Sequence, residues 1–109
     1  MFGLQSDQIE GGVSKMKIHL KIRGLPQLYK VMNKKKDLDF EFLGSTVGDA
    51  VRSLVNKYGP AVKKALLDQN GDIDMELRVV HNDRTFLMHG ERMNFTLNDG
   101  DTLWLMTVG

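Results

Sequence analysis

Cysteine is absent from the 109 residues. That excludes a disulfide framework, a thiolate nucleophile, an iron–sulfur cluster and every cysteine-based zinc site. Apolar runs stop at four residues, far short of the roughly 20 that a membrane-spanning helix requires. The opening MFGLQSDQIEGG has neither the basic segment nor the apolar stretch of a secretory signal, so the expected compartment is the cytoplasm. No phosphate-binding glycine loop occurs, because Gly44 and Gly48 fit neither the P-loop nor the dinucleotide spacing. Proline appears only at positions 26 and 60. What remains is 41% hydrophobic and 27% charged, the balance of one ordinary globular domain.

The net charge of +1 conceals an uneven distribution. Residues 15–36 hold eight basic side chains and no acid, whereas residues 37–109 hold seven basic and twelve acidic ones. Such a basic arm raises the question of nucleic acid. Base-stacking aromatics are scarce there, however, with Tyr29 the only one between residues 3 and 39. Lys34, Lys35 and Lys36 therefore read as a solvated loop tip, and no nucleic-acid partner is expected.

Residues 1–15 show no clear period and read as a flexible leader, with the domain over residues 16–109. From Met16 the pattern changes. Ile18, Leu20 and Ile22 alternate with Lys17, His19, Lys21 and Arg23, the signature of a half-buried strand. Leu38, Phe40 and Phe42 alternate with Asp39 and Glu41 in a second one, and residues 24–37 read as a long loop between them. Asp37, Asp39 and Glu41 would face Lys17, His19 and Lys21 across the pair, which accounts for these charges without a reaction.

A helix follows, with Ser45 or Thr46 as its cap and Asp49 placed to complete a capping box. Val47, Ala50, Val51, Leu54, Val55 and Tyr58 form its apolar stripe, and Gly59-Pro60 ends it. A short second helix is expected over residues 61–67. Met75, Leu77 and Val79 then alternate with Glu76 and Arg78 in a third strand, a short fourth strand covers residues 84–88, and residues 102–108 make the fifth. Leu103 and Leu105 would face the helix, leaving Trp104 and Met106 on the open face with His19 as neighbour. Two strands, a crossover helix and three more strands describe an α+β roll of the β-grasp (ubiquitin-like) type: a mixed five-stranded sheet with one main helix on one face. The first and last strands should lie parallel at its centre.

His19, His81 and His89 have no short ligand spacing, so no metal site is expected. No nucleophile–base set is apparent, and the isolated chain is not expected to be an enzyme. The informative region is the C-terminus. The run Leu97-Asn98-Asp99-Gly100-Asp101-Thr102-Leu103-Trp104-Leu105 close to Gly109 resembles the end of the MoaD/ThiS family of sulfur carriers. Thr46-Val47-x-Asp49-Ala50-Val51-x-x-Leu54 is similar to that family's helix start, and Val79-Val80-His81-Asn82-Asp83-Arg84 to its valine–asparagine strand and turn.

The resemblance implies a protein that is itself a co-substrate. An E1-like enzyme would spend ATP to adenylate the carboxylate of Gly109, and sulfur transfer would make a thiocarboxylate. That group would be donated in cofactor biosynthesis, molybdopterin foremost, to an enzyme like the large subunit of molybdopterin synthase. Val108 and Gly109 would thread the partner's active site, and the alternation of the last strand would put Met106, Trp104 and His19, with Thr107, on the partner-binding surface. The chain would bind no cofactor, the ATP belonging to the activating enzyme. The family normally ends in Gly-Gly, whereas this sequence ends Val108-Gly109. Two other roles are open to the same fold: a ubiquitin-like interaction module that is never conjugated, and a conjugated protein modifier.

Overall fold

Alternation in the first strand becomes burial in the computed structural model, which describes residues 15–88 and 90–107. Strand β1 spans Lys15–Arg23 and buries Ile18, Leu20 and Ile22 while its charged residues face away. It pairs antiparallel with β2, Asp37–Leu43, in a register that sets His19 opposite Asp39 and Ile18 opposite Phe40. Most of the leader expected at residues 1–15 lies outside the described residues, Lys15 opening β1.

The expected long loop between these strands contains a helix instead. Helix α1, Pro26–Val31, starts on a proline, whose fixed φ suits the first helical turn. Leu25, Leu28 and Met32 point inward, at the spacing of one helical face, and close one end of the core. A single turn and a half offers too few residues for that periodicity to stand out among the surrounding lysines. Lys34, Lys35 and Lys36 are exposed beyond it.

Helix α2, Val47–Tyr58, begins with a complete capping box. The Asp49 amide donates to Thr46 Oγ1 at 3.1 Å, and the Asp49 carboxylate accepts from the Ser45 and Thr46 amides at 2.9 and 3.1 Å. The Ser45 amide leads the interactions that lower the Asp49 pKa to about 2, against some desolvation. Val47, Ala50, Val51 and Leu54 are buried against the sheet. Gly59 ends the helix at φ +90°, a conformation open to a residue without Cβ, and Pro60 starts α3, Pro60–Leu66.

Strand β3 is Leu77–His81, β4 is Thr85–Phe86 and β5 is Thr102–Thr107. The sheet order is β2-β1-β5-β3-β4, with β1 and β5 parallel at the centre, so the molecule is the mixed five-stranded β-grasp roll that the element order predicts. Two expected strand boundaries change. Met75 is not an inward strand residue: it is 72% exposed, because Asp74 forms a turn that accepts the Glu76 and Leu77 amides and delays the strand to Leu77. The fourth strand shrinks from residues 84–88 to two residues, and Phe86 and Met88 are exposed.

Arg92 is the one strongly buried cation among the described residues, at 4% exposure. Its guanidinium donates to the carbonyls of Leu77 and Ile73 at 2.6 Å and of Asp74 at 3.2 Å. Burial lowers its pKa, opposed by the charges of Asp74, Asp72 and Asp68.

Candidate functional site

The last strand is where the fold concentrates its order. The turn before it is stitched to β1 by three backbone atoms. Lys17 donates its amide to Asp99 Oδ1 at 2.7 Å, the Gly100 amide donates to the Lys17 carbonyl at 2.7 Å, and the His19 amide donates to the Asp101 carbonyl at 2.8 Å. Gly100 sits at φ +87°. The Asp101 side chain accepts from the Asn98 amide at 2.9 Å and from Asn82 Nδ2 at 3.2 Å, and meets His81 Nε2 at 2.7 Å. Burial raises the Asp101 pKa, but these hydrogen bonds outweigh it and hold the carboxyl below its ordinary value. The Asp-Gly-Asp motif thus works as an anchor that starts β5 in register beside β1.

From that anchor β5 alternates as its sequence requires. Leu103 and Leu105 are buried, whereas Trp104 and Met106 lie on the helix-free face and are half-buried. The register builds two rows across this face. The first runs Asp37, Lys21, Trp104, Val80 and Phe86; the second runs Arg23, Met106 and Arg78. Lys21 Nζ and the Arg23 guanidinium sit over the Trp104 ring at 5.1 and 4.9 Å, and the Arg78 guanidinium sits over Phe86 at 5.4 Å. The Trp104 indole N–H donates to the Asp83 carboxylate, which ties the β3–β4 turn to the same face.

His19 is not the neighbour of Trp104. The parallel register places it beside Thr102, and its Nδ1 lies 2.6 Å from Asp39 Oδ1. The positions beside Trp104 and Met106 belong to Lys21 and Arg23, a one-pair offset that alternation cannot reveal because it does not fix stagger between strands. Of the cross-strand pairs expected with Lys17, His19 and Lys21, only His19–Asp39 forms, at 2.6 Å; Glu41 and Asp37 take the diagonal cations Lys15, at 3.4 Å, and Arg23, at 3.0 Å, in place of the lysines opposite them in register. Thr107, which ends β5, packs against Gly24. Val108, Gly109 and His89 lie outside the described residues. Among the described residues no three histidine or carboxylate side chains converge on a metal position, and no helix is long and apolar enough to cross a membrane.

The sequence matches no family model and no curated protein. Solved structures do match. The Haloferax volcanii HVO 2177 protein is similar at 25% identity and TM-score 0.70, over 94% of this chain and 92% of that one. Small archaeal modifier protein 1 of the same organism is similar at 21% identity and TM-score 0.67, over 86% and 99%. The BexX/CysO complex of Amycolatopsis orientalis contains a chain similar at 18% identity and TM-score 0.68, over 84% and 96%. The chain has the ubiquitin-like β-grasp fold of these structures, which is the fold that its resemblance to the MoaD/ThiS sulfur carriers implies.

Proposed function

We propose that the chain is a ubiquitin-like sulfur carrier activated at Gly109 by an E1-like enzyme. The observation that carries this reading is the last strand. It lies at the centre of the sheet, is anchored at its start by the Asp-Gly-Asp turn, and ends at Thr107, two residues before Gly109 in sequence. Fixing the strand end at Thr107 lowers the ordering cost that a partner meets at that point of the chain.

A carboxylate is a poor electrophile. In the proposed reaction the Gly109 carboxylate attacks the α-phosphorus of ATP in the partner, pyrophosphate leaves, and the acyl-adenylate gains a good leaving group. Hydrosulfide released by the sulfur donor then attacks the acyl carbon, AMP leaves, and loss of the proton gives the thiocarboxylate. The carrier's part is to present the terminal carboxylate; nucleotide binding and proton transfer belong to the enzyme. The recipient put first is a synthase of the molybdopterin type, as the sequence resemblance implies.

Incubation with the E1-like enzyme, ATP and a sulfur donor should raise the intact mass by the difference between SH and OH at the terminus. An unchanged mass, with the natural C-terminus in place, overturns the proposal. The second reading is a protein modifier, favoured by the similarity to small archaeal modifier protein 1. It predicts isopeptide-linked adducts on lysines in place of a stable thiocarboxylate.

A further inference from the structure

Two patches of opposite charge meet at Leu25, away from Trp104 and Met106. The first is an open cleft between the end of β1 and α1, about 200 Å3 in volume and lined by Ile22, Gly24, Leu25, Pro26, Tyr29 and Lys36. Small-molecule pockets span roughly 300–1,000 Å3, so this cleft suits one apolar side chain better than a cofactor. Lys30, Lys34, Lys35 and Lys36 are exposed and make no ion pair among the described residues. Lys63 and Lys64 add to them from α3, which packs against α1. Asp37, which follows the lysine run, is held by Arg23 at 3.0 Å. The run itself is strained. The Lys34 amide donates to the Tyr29 carbonyl at 2.9 Å and the Lys35 amide to the Met32 carbonyl at 3.3 Å, which folds the lysines back onto α1. That turn sets Asn33 and Lys34 at φ +59° and +61°. Asparagine tolerates the left-handed region and glycine is unstrained there, whereas a lysine is not. A cation kept where glycine would serve the backbone better points to a role for its charge.

The second patch is a groove that Leu25 shares with Ala65, Leu77 and Thr107, bordered by Asp74, Met75 and Glu76. Met75 is 72% exposed between those two acidic residues. Asp72, Asp74 and Glu76 make no ion pair among the described residues, and the buried Arg92 donates to the carbonyls of Ile73 and Asp74 in place of their neighbouring carboxylates. We propose that two copies of this chain pair through these patches. Met75 of each copy enters the Leu25–Pro26–Tyr29 cleft of the other, while Asp74 and Glu76 meet its lysines. Because both patches border Leu25, a two-fold axis beside that residue joins them reciprocally and closes the assembly at two. A methionine adapts its shape to such a cleft, and the charges fix the orientation. Self-pairing at the β2 edge would instead bring Asp37, Asp39 and Glu41 against their own copies. The contact is small, so the dimer is weak and depends on concentration. It does not depend on the chemistry at Gly109.

Sedimentation velocity of the full chain should show a monomer–dimer equilibrium as concentration rises, weakened by added salt. Met75→Glu should raise the dimer dissociation constant about tenfold, since it replaces the inserted apolar side chain by a charge. Lys36→Glu and Glu76→Lys should each weaken self-association, because each sets like charges together. Their mixture should dimerise again, because every contact in the mixed pair joins opposite charges. Phe86→Ser, at an exposed apolar residue of β4, should match the parent. All four side chains are exposed, so far-UV circular dichroism should be the same for every variant. A chain that stays monomeric at every concentration overturns the proposal. So does a mixture that stays monomeric, or a dimer that Phe86→Ser dissolves and Met75→Glu leaves intact. Binding of an acidic methionine-containing peptide by a chain that remains monomeric also overturns self-pairing, and assigns the cleft to a foreign segment.

Discussion

His81 Nε2 lies 2.7 Å from Asp101 Oδ2, joining the end of β3 to the turn that starts β5. The His81 ring also packs against Phe95, with centroids 4.8 Å apart. Asp101 gathers the Asn98 amide and the Asn82 side-chain amide as well, and Asn82 Oδ1 accepts the Thr102 amide at 2.8 Å. One carboxylate thus fixes the loop before β5 and the turn after β3.

Asp101→Ala should therefore destabilise the fold by about 1–3 kcal/mol, since it leaves the Asn98 amide and His81 without an acceptor in a half-buried site. Urea unfolding should show a lowered midpoint with an unchanged slope. Asp99→Ala, which removes only the acceptor of the exposed Lys17 amide, should cost less. Equal losses for the two variants would contradict the hub role of Asp101.

Acid should loosen the start of α2 and the turn before β5. Asp49 and Asp101 have folded-state pKa values below the 3.8 of an unperturbed aspartate, Asp49 at about 2. The folded protein then binds fewer protons than the unfolded chain as pH drops below about 4, so the stabilisation is complete above that pH and is lost as pH falls through the folded pKa values. Asp49→Asn should lower stability at neutral pH and flatten its decline between about pH 4 and pH 2. A parallel pH profile in the variant would show that the capping carboxylate does not drive the acid transition.

The legible parts of the sequence were those whose signals are local. Alternation in β1 and β2, the Thr46–Asp49 capping box and the Gly59-Pro60 stop each state their structure within a few residues, and each appears where expected. The open-face parity of Trp104 was legible for the same reason. Cross-strand register was not, because it depends on the partner strand: Lys21, Arg23, Arg78 and Phe86 join Trp104 and Met106 through pairings formed between residues as far as 83 positions apart. Their sequence signal was present in outline, as basic residues sharing parity with Trp104 on an open sheet. Helix α1 was missed because one proline and three apolar residues within a lysine-rich stretch look like a loop until the core claims them.

Arg92 should be among the residues least tolerant of change. Arg92→Met keeps much of the volume but leaves the carbonyls of Leu77, Ile73 and Asp74 without their donor in a buried site. A loss of at least about 2 kcal/mol is expected. Amide exchange should accelerate first in residues 72–77, which the guanidinium ties to the 3-10 turn Arg92–Asn94. Uniform acceleration across the sheet would show instead that the arginine supports the whole core.

Gly24 bounds the end of β5. It sits at φ +72°, and a Cβ there would come within 2.2 Å of Thr107 Oγ1. Gly24→Ala should cost about 1–2 kcal/mol for the left-handed backbone alone, with a further loss as Thr107 is pushed aside. Thr107→Ala removes the oxygen that is struck, so the cost of Gly24→Ala should fall in that background while the backbone part persists. A double-mutant cycle in urea isolates this coupling, and strictly additive losses would refute the contact. Because Thr107 is the last residue of β5, the same displacement should redirect residues 108 and 109. Under the proposed carrier function, Gly24→Ala should then reduce kcat for activation at Gly109 with KM unchanged. A raised KM at unchanged kcat would show instead that the glycine serves partner binding.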